Sequence, residues 1–317
     1  MRTETGREET RAPDIPGTED SDDIGRLYRR YRKYAFAIAY RMLGSAADAE
    51  DIVQDVFAEL SRRMPAMPDH PKSDIARSAV NRSLNLLNSA RGRRERYVGD
   101  WLPEPVGEAA LGPEESAVRG DALSFAYMVM LERLTPAERA VFVLREAFGF
   151  GYDEIAGMVG RSESALRQNL SRAKRKLKPA EGETRLAPIQ AEEETAKERT
   201  ELLRRFERAF AAYDIDGVLN LLGDRPVLTA DGGGARIRTI VRPMEGRKGV
   251  CALLTSRRIF KEARSWAASV ESVNGEPQLV YREGGEARMA IMPYTEPDSA
   301  LIDRIYVVIG PEKLGRI

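Results

Sequence analysis

Residues Gly151–Leu177 read GYDEIAGMVGRSESALRQNLSRAKRKL, and the division of the chain follows from them. Ile155, Met158 and Val159 recur at helical spacing and give a short helix one apolar face. Ala156 is small where a second helix would cross it. Gly160 suits the left-handed residue that ends a helix, and Ser162 suits the cap of the next one. That next helix buries Leu166, Leu170, Ala173 and Leu177. It turns Ser164, Arg167, Gln168, Ser171, Arg172, Lys174 and Arg175 outward. From Arg161 to Lys178 seven basic residues oppose one acid, Glu163, so this face is strongly cationic. Two helices joined by a tight turn make a helix-turn-helix. The second helix fits the DNA major groove, where Arg and Gln read base edges and other cations bind phosphate. The plainer alternative is a solvated basic helix on a bundle.

The cationic face is local. The 317 residues carry 50 Lys+Arg against 50 Asp+Glu, so any nucleic-acid site depends on segregated charge. Cys251 is the one cysteine, which excludes an intramolecular disulfide and reads as intracellular; His70 is the one histidine, which leaves a Cys/His zinc site without ligands. No apolar run approaches the roughly 20 residues of a membrane span, and the N-terminus lacks an apolar signal core. Residues 1–23 are acidic and poor in apolar side chains, and are expected to be disordered.

Upstream of the quoted stretch, residues 24–97 read as a helical module. Ile24, Leu27, Tyr31, Tyr34, Ile38 and Met42 stripe a first helix that Gly44 ends, and Ser45 caps a second built on Ile52, Val53, Val56, Phe57 and Leu60. The second helix exposes Asp48, Glu50, Asp51, Gln54, Asp55 and Glu59, an acidic face unsuited to DNA and suited to a basic protein surface. Pro65, Pro68 and Pro71 precede a third helix, about Asp74 to Arg91. It is basic, with Arg77, Arg82, Arg93 and Arg94, and Asn81, Asn85 and Asn88 interleave, a set able to hold a displaced single strand. A linker over 98–112, with Trp101, Pro103 and Pro105, leads to the helical residues 113–178. A polar linker over 179–196 follows.

Residues 197–317 change character. A helix (Leu202, Leu203, Phe206, Phe210) and a short second one (Val218, Leu219, Leu222) give way to candidate strands at Pro226–Ala230, Ile237–Val241, Gln278–Tyr281, Ala287–Met292 and Leu301–Ile309. The fold class expected is multidomain: two all-α modules, then an α+β unit with a curved sheet. Cys251 reads as a packed small side chain, Trp266 as core, and His70 as exposed.

These residues resemble a known family. YRRYRKYAFAIAYRMLGSAADAEDIVQDVFAELSRR resembles region 2 of bacterial sigma factors, and LTPAERAVFVLREAFGFGYDEIAGMVGRSESALRQNLSRAKRKL resembles region 4. With no other sigma regions, the chain is similar to the extracytoplasmic-function group. WLPEP (Trp101–Pro105) and DGGG (Asp231, Gly232, Gly233, Gly234) resemble the subgroup with a C-terminal SnoaL-like, NTF2-fold extension; Ala235 and Arg236 follow DGGG where that subgroup usually has lysine directly. The stretch HPKSD, before Ile75, lacks the tryptophan common there. The resemblance implies a cytoplasmic promoter-specificity subunit with promoter DNA and core RNA polymerase as partners and no cofactor or metal. The Asp48–Asp55 face, with Glu50, Asp51 and Gln54, would meet the clamp of the largest subunit, and the flap would be a further contact. Asn81, with Arg82, Asn85, Arg93 and Arg94, would serve the −10 element, and the helix of Arg161–Lys178 the −35 element. Trp101, Pro103 and the DGGG loop would make a regulatory contact.

Two other readings stay open on residues alone. A free-standing helix-turn-helix regulator would need neither the acidic helix nor the second basic one. An NTF2-like unit could bind a small molecule or act as an enzyme through Tyr213, Asp214, Asp216, Asp231 and Tyr281. Asp214 and Asp216 also suit helix capping.

Overall fold

The computed structural model describes residues 18–63, 69–94, 101–108, 124–178, 193–232, 242–295 and 299–317. The first module holds α1 (Thr18–Leu43), α2 (Ala46–Arg63) and α3 (Pro71–Arg94). The apolar stripe predicted from Ile24 onward is the buried face of α1. Helix α1 begins at Thr18, so residues 18–23, expected to be disordered, are helical. Acidic residues fit there because a helix N-terminus favours negative charge, and Asp23 also pairs with Arg26 one turn on. Gly44 ends α1 at φ 69°, a left-handed conformation. Helix α3 extends beyond the expected bounds at both ends, with Pro71 at its first position, where a missing N–H costs nothing.

The second module holds α4 (Phe125–Leu131), α5 (Pro136–Phe142), a π-helical turn (Val143–Ala147), α6 (Tyr152–Val159) and α7 (Glu163–Leu177). Its caps are those the sequence advertises. The Glu138 N–H donates to Thr135 Oγ1 and the Thr135 N–H returns to Glu138 Oε2 at 2.9 Å. Gly160 ends α6 at φ 64° and Ser162 caps α7. Leu166, Leu170 and Ala173 are buried.

The third unit opens with α8 (Glu193–Ala211) and α9 (Ile215–Leu221), which lead into β1 (Leu222–Asp231). Then come β2 (Met244–Glu245), α10 (Arg247–Leu254), a 3-10 turn (Glu262–Ser265), β3 (Ala267–Val273), β4 (Glu276–Glu283), β5 (Glu286–Thr295), β6 (Ile302–Ile309) and the short α11 (Pro311–Leu314). The sheet order is β2-β1-β6-β5-β4-β3, with β1 and β6 parallel and the other neighbours antiparallel. Leu222, expected on the second helix, starts β1 instead. Trp266 is half-buried, just before the edge strand β3, and packs against the core. The expected strand at 237–241 lies outside the described residues.

Period two along the strands sends alternate residues to two different cores. Met289, Ile291, Ile305 and Val307 face α8–α10 with Phe206, Phe210 and Phe260. Ala290, Met292, Tyr294, Tyr306 and Val308 face Leu102, Phe125 and Ala126, residues that precede this unit in the chain. Both sheet faces are therefore covered, the second by the 101–107 segment and the start of α4. A third core runs without a break through both helical modules, from Ile38 and Val80 to Phe142, Ile155 and Leu166.

Candidate nucleic-acid interface and its supports

The outward residues of α7 are all exposed: Ser164, Arg167, Gln168, Ser171, Arg172, Lys174 and Arg175. Arg167 reaches Glu163 Oε2 at 2.9 Å, and its guanidinium lies 4.6 Å from the centre of the Tyr152 ring. Lys174 pairs with Glu146 at 3.0 Å. These are exposed pairs of little energetic weight, so DNA phosphates can displace them. Beneath this face, Lys176 donates to the buried Glu138 at 2.7 Å and fastens α7 to α5. Burial alone would raise the Glu138 carboxyl, but Lys176 and the Thr135 donors outweigh it and hold it below the usual range.

On α3 the predicted set is divided. Asn85 and Asn88 are exposed. Asn81 is half-buried, and its Nδ2 donates to the Met158 carbonyl of α6 at 2.9 Å. Arg82 lies over α2 and donates to Asp55 at 3.1 Å and to Glu59 at 2.8 Å. The Arg82 hydrogen bond holds the Glu59 carboxyl below its ordinary value. Arg93 and Arg94 lie on the last turn of α3, where side chains are outside the described residues. Two further contacts draw the modules together. Arg139 Nε donates to the Arg41 carbonyl at 2.7 Å, and the Tyr34 and Phe148 rings meet edge-on at 5.5 Å.

On α2, Asp51, Gln54 and Asp55 are exposed, and Asp48 and Glu50 are partly so. Asp55 is engaged by Arg82 as above, and Glu50 pairs with Arg316 near the C-terminal end. Part of the acidic face is thus met by cations of the same chain.

The 101–107 segment is buried between the first module and the third unit. From Leu102 to Gly107 every backbone N–H has a partner. The Leu102 N–H donates to Asp231 Oδ2 at 2.8 Å, the Glu104 N–H to the Gly44 carbonyl at 2.8 Å, the Val106 N–H to Asn274 Oδ1 at 3.1 Å and the Gly107 N–H to the Arg316 carbonyl at 2.8 Å. The intervening Pro103 and Pro105 have no N–H to satisfy. Alternating prolines therefore let an irregular segment be buried without orphaned donors. Lys313 donates to the Leu102 carbonyl at 2.6 Å, pairs with Asp231, and lies 4.7 Å from the centre of the Trp101 ring. Trp101 packs so closely on Gly44 that a Cβ there would stand 2.8 Å from its ring. Asn274, at φ 52°, donates its own N–H to the Val106 carbonyl at 2.7 Å and Nδ2 to the Tyr40 hydroxyl at 2.9 Å. Burial pushes the Tyr40 phenol well above its ordinary range, so it stays neutral and donates to the Glu104 carbonyl at 2.7 Å.

Asp231 ends β1 at this junction and Gly232 follows it; Gly233 and Gly234 lie outside the described residues. Glu104, Asn274, Lys313 and Arg316 were not singled out from sequence. The Pro-Glu-Pro spacing and the Asn274-Gly275 pair were the visible signals. Of the residues raised as an enzyme constellation, Tyr213 and Tyr281 both lie beside Arg264, whose guanidinium stands 3.9 Å from the centre of the Tyr213 ring, while the three aspartates are engaged elsewhere or exposed. Asp214 caps α9 through the Gly217 N–H at 2.9 Å, Asp216 is exposed, Asp231 faces the 101–107 segment, and Tyr281 packs against Phe210 in the other core.

Comparison with known proteins gives this geometry a context. Residues 27–93 match Sigma-70 region 2, and residues 124–177 match Sigma-70, region 4. The ECF RNA polymerase sigma factor SigJ of Mycobacterium tuberculosis is 36% identical over 69% of this chain and 68% of its own length. The probable ECF RNA polymerase sigma factor SigI of the same species is 34% identical over 63% of this chain and 67% of its own. The crystal structure of M. tuberculosis SigJ superposes with a TM-score of 0.67 at 28% identity and covers 92% of this chain and 97% of that one. Its C-terminal domain is SnoaL-like, as is the α8–α11 unit here.

Proposed function

From the premise that this chain belongs to the extracytoplasmic-function sigma factors, promoter-specificity subunits of RNA polymerase, we propose roles for its individual residues. RNA polymerase and promoter DNA are its partners, and its relatives are sigma factors rather than enzymes. The outer face of α7 reads the −35 element, with Arg167 and Gln168 toward base edges and Lys174 and Arg175 toward phosphate. Asn81, whose amide can both donate and accept, captures an extruded base of the −10 element, and Arg82, Asn85, Arg93 and Arg94 hold the strand. The acidic face of α2 meets the polymerase clamp, and the second module meets the flap.

One observation carries the −35 assignment: seven polar or basic side chains of α7 stand exposed on one face while Leu166, Leu170 and Ala173 are buried on the other. Sequencing transcripts made in vitro with core polymerase and a randomised promoter library tests it. Arg167→Ala should relax selection at one −35 position. Unaltered selection in both Arg167→Ala and Gln168→Ala would remove this face from the role.

The Asn81–Met158 hydrogen bond favours a second statement. With Asn81 donating to α6 and Arg82 lying on α2, the arrangement described is a resting one. Engaging the −10 strand requires α3 to part from α6. Asp231, Lys313 and Asn274 hold the 101–107 segment, so the C-terminal unit biases this equilibrium without a separate anti-sigma protein. Cutting the chain after Ala196 and, separately, Asp231→Ala tests this by promoter-dependent transcription at equal protein level. Unchanged output from both would make the unit a passenger.

A further inference from the structure

We propose that Glu104 is a positioning residue for polymerase binding: a carboxylate supplied by the inter-module segment that caps the polymerase-facing helix α2. The inference rests on the reading of α2 given above and adds the route by which the C-terminal unit reaches it. The first amides of a helix lack intrahelical acceptors and attract negative charge. Ser45 serves one of them, accepting from the Asp48 N–H at 3.1 Å. Glu104 serves the others. Its Oε2 accepts from the Ala46 N–H at 2.7 Å and the Ala47 N–H at 3.1 Å, and its Oε1 accepts from the Ser45 hydroxyl at 2.9 Å.

This cap comes from 58 residues away in sequence, so it is present only while the segment is docked. The backbone of Glu104 is held to the same corner, donating to the Gly44 carbonyl at 2.8 Å and accepting from Tyr40 at 2.7 Å. On either side of it, Leu102 and Val106 are held by Asp231, Lys313 and Asn274 of the C-terminal unit. Loosening that grip withdraws a full negative charge from the start of α2. Asp48, Glu50 and Asp51 lie on the first turns of the same helix, and fraying there disorders the acidic face that a basic partner reads. Glutamine in place of Glu104 can keep one carbonyl oxygen on the Ala46 and Ala47 amides and turn its NH₂ to the Ser45 hydroxyl, so it preserves the hydrogen bonds and removes only the negative charge.

The experiment uses the full chain. Exchange of the Ala46 and Ala47 amides and the Kd for core polymerase are measured for Glu104→Ala, Glu104→Gln and the reference variant Asp51→Arg. Binding to a −35 duplex reports on the fold elsewhere. The expected result is faster exchange at both amides and polymerase affinity weaker by about tenfold, the ratio that a lost cap produces, with −35 binding kept. Glu104→Gln, which preserves size, should fall between wild type and Glu104→Ala, and it answers the question if Glu104→Ala does not fold. If Asp51→Arg weakens polymerase binding while Glu104→Gln and Glu104→Ala do not, this inference is overturned and the reading of α2 stands. If Asp51→Arg itself has no effect, both fall.

Discussion

Arg167 shows how little separates a structural side chain from a DNA contact. Its guanidinium rests on Tyr152 and Glu163, which hold it extended over the exposed face of α7. Truncation to alanine should cost about 1–3 kcal/mol of −35 binding, with the loss concentrated at one base pair. Lys174→Ala should weaken all sequences about equally and flatten the salt dependence, which a titration of binding against ionic strength would show. A different kind of residue sits at the junction. Asp231 and Lys313 are both buried and paired, so Lys313→Met leaves a buried carboxylate without its paired cation; it should destabilise the chain by about 3–5 kcal/mol in urea unfolding. At Gly44 the left-handed φ and the nearby Trp101 ring act together. Gly44→Ala should therefore undock Trp101, visible as a red shift and increased quenching of its fluorescence. Asp231 and Gly44 could be suspected from sequence, because glycine and aspartate at element ends have few other uses. Lys313 could not, since a lysine in a surface-like helix gives no sign that it will be buried.

The helix-turn-helix was legible as an element because every local signal agreed: Thr135-Pro136, Gly160, Ser162 and the α7 stripe all name their own boundaries. The β3 strand and α10 were not. β3 is an edge strand whose exposed residues carry no alternation, and α10 is two turns long, below the length at which periodicity decides. The α5–α7 fastening yields a pH prediction. Glu138 is depressed in the folded protein, so its contribution to stability is present above the ordinary glutamate range, near 4.3, and lost as pH falls through its lower folded value. In thermal melts, wild type and Glu138→Gln should differ at neutral pH and converge as pH falls below that range; a constant gap would mean that Lys176 and Thr135 do not act through the charge. Between elements, Asn81→Ala should lower promoter melting in permanganate footprints without weakening polymerase binding, since the bond it removes holds the resting arrangement.

At the scale of the whole molecule, the sequence supplied the modules and concealed how they meet. The runs Ala287–Met292 and Leu301–Ile309 were readable as strands. The structure buries both faces of the sheet they form. What covers the second face is Leu102, Phe125 and Ala126, more than a hundred residues upstream, and no local pattern reports a contact so distant in the chain. The same limit hid the Asn81–Met158 bond, since an asparagine that reads DNA and one that pins two helices have the same spacing. The central claim is that the free protein rests with α3 on α6 and that polymerase parts them. The direct measurement is the distance between spin labels on exposed positions of α2 and α7, Ser61 and Ser171, with Cys251 replaced by serine. The account predicts one narrow, short distance in the free chain that lengthens on adding core polymerase. It further predicts that Asp231→Ala broadens the distribution before polymerase is added. A free chain that already samples long distances, or a short distance that survives in the polymerase complex, would contradict it.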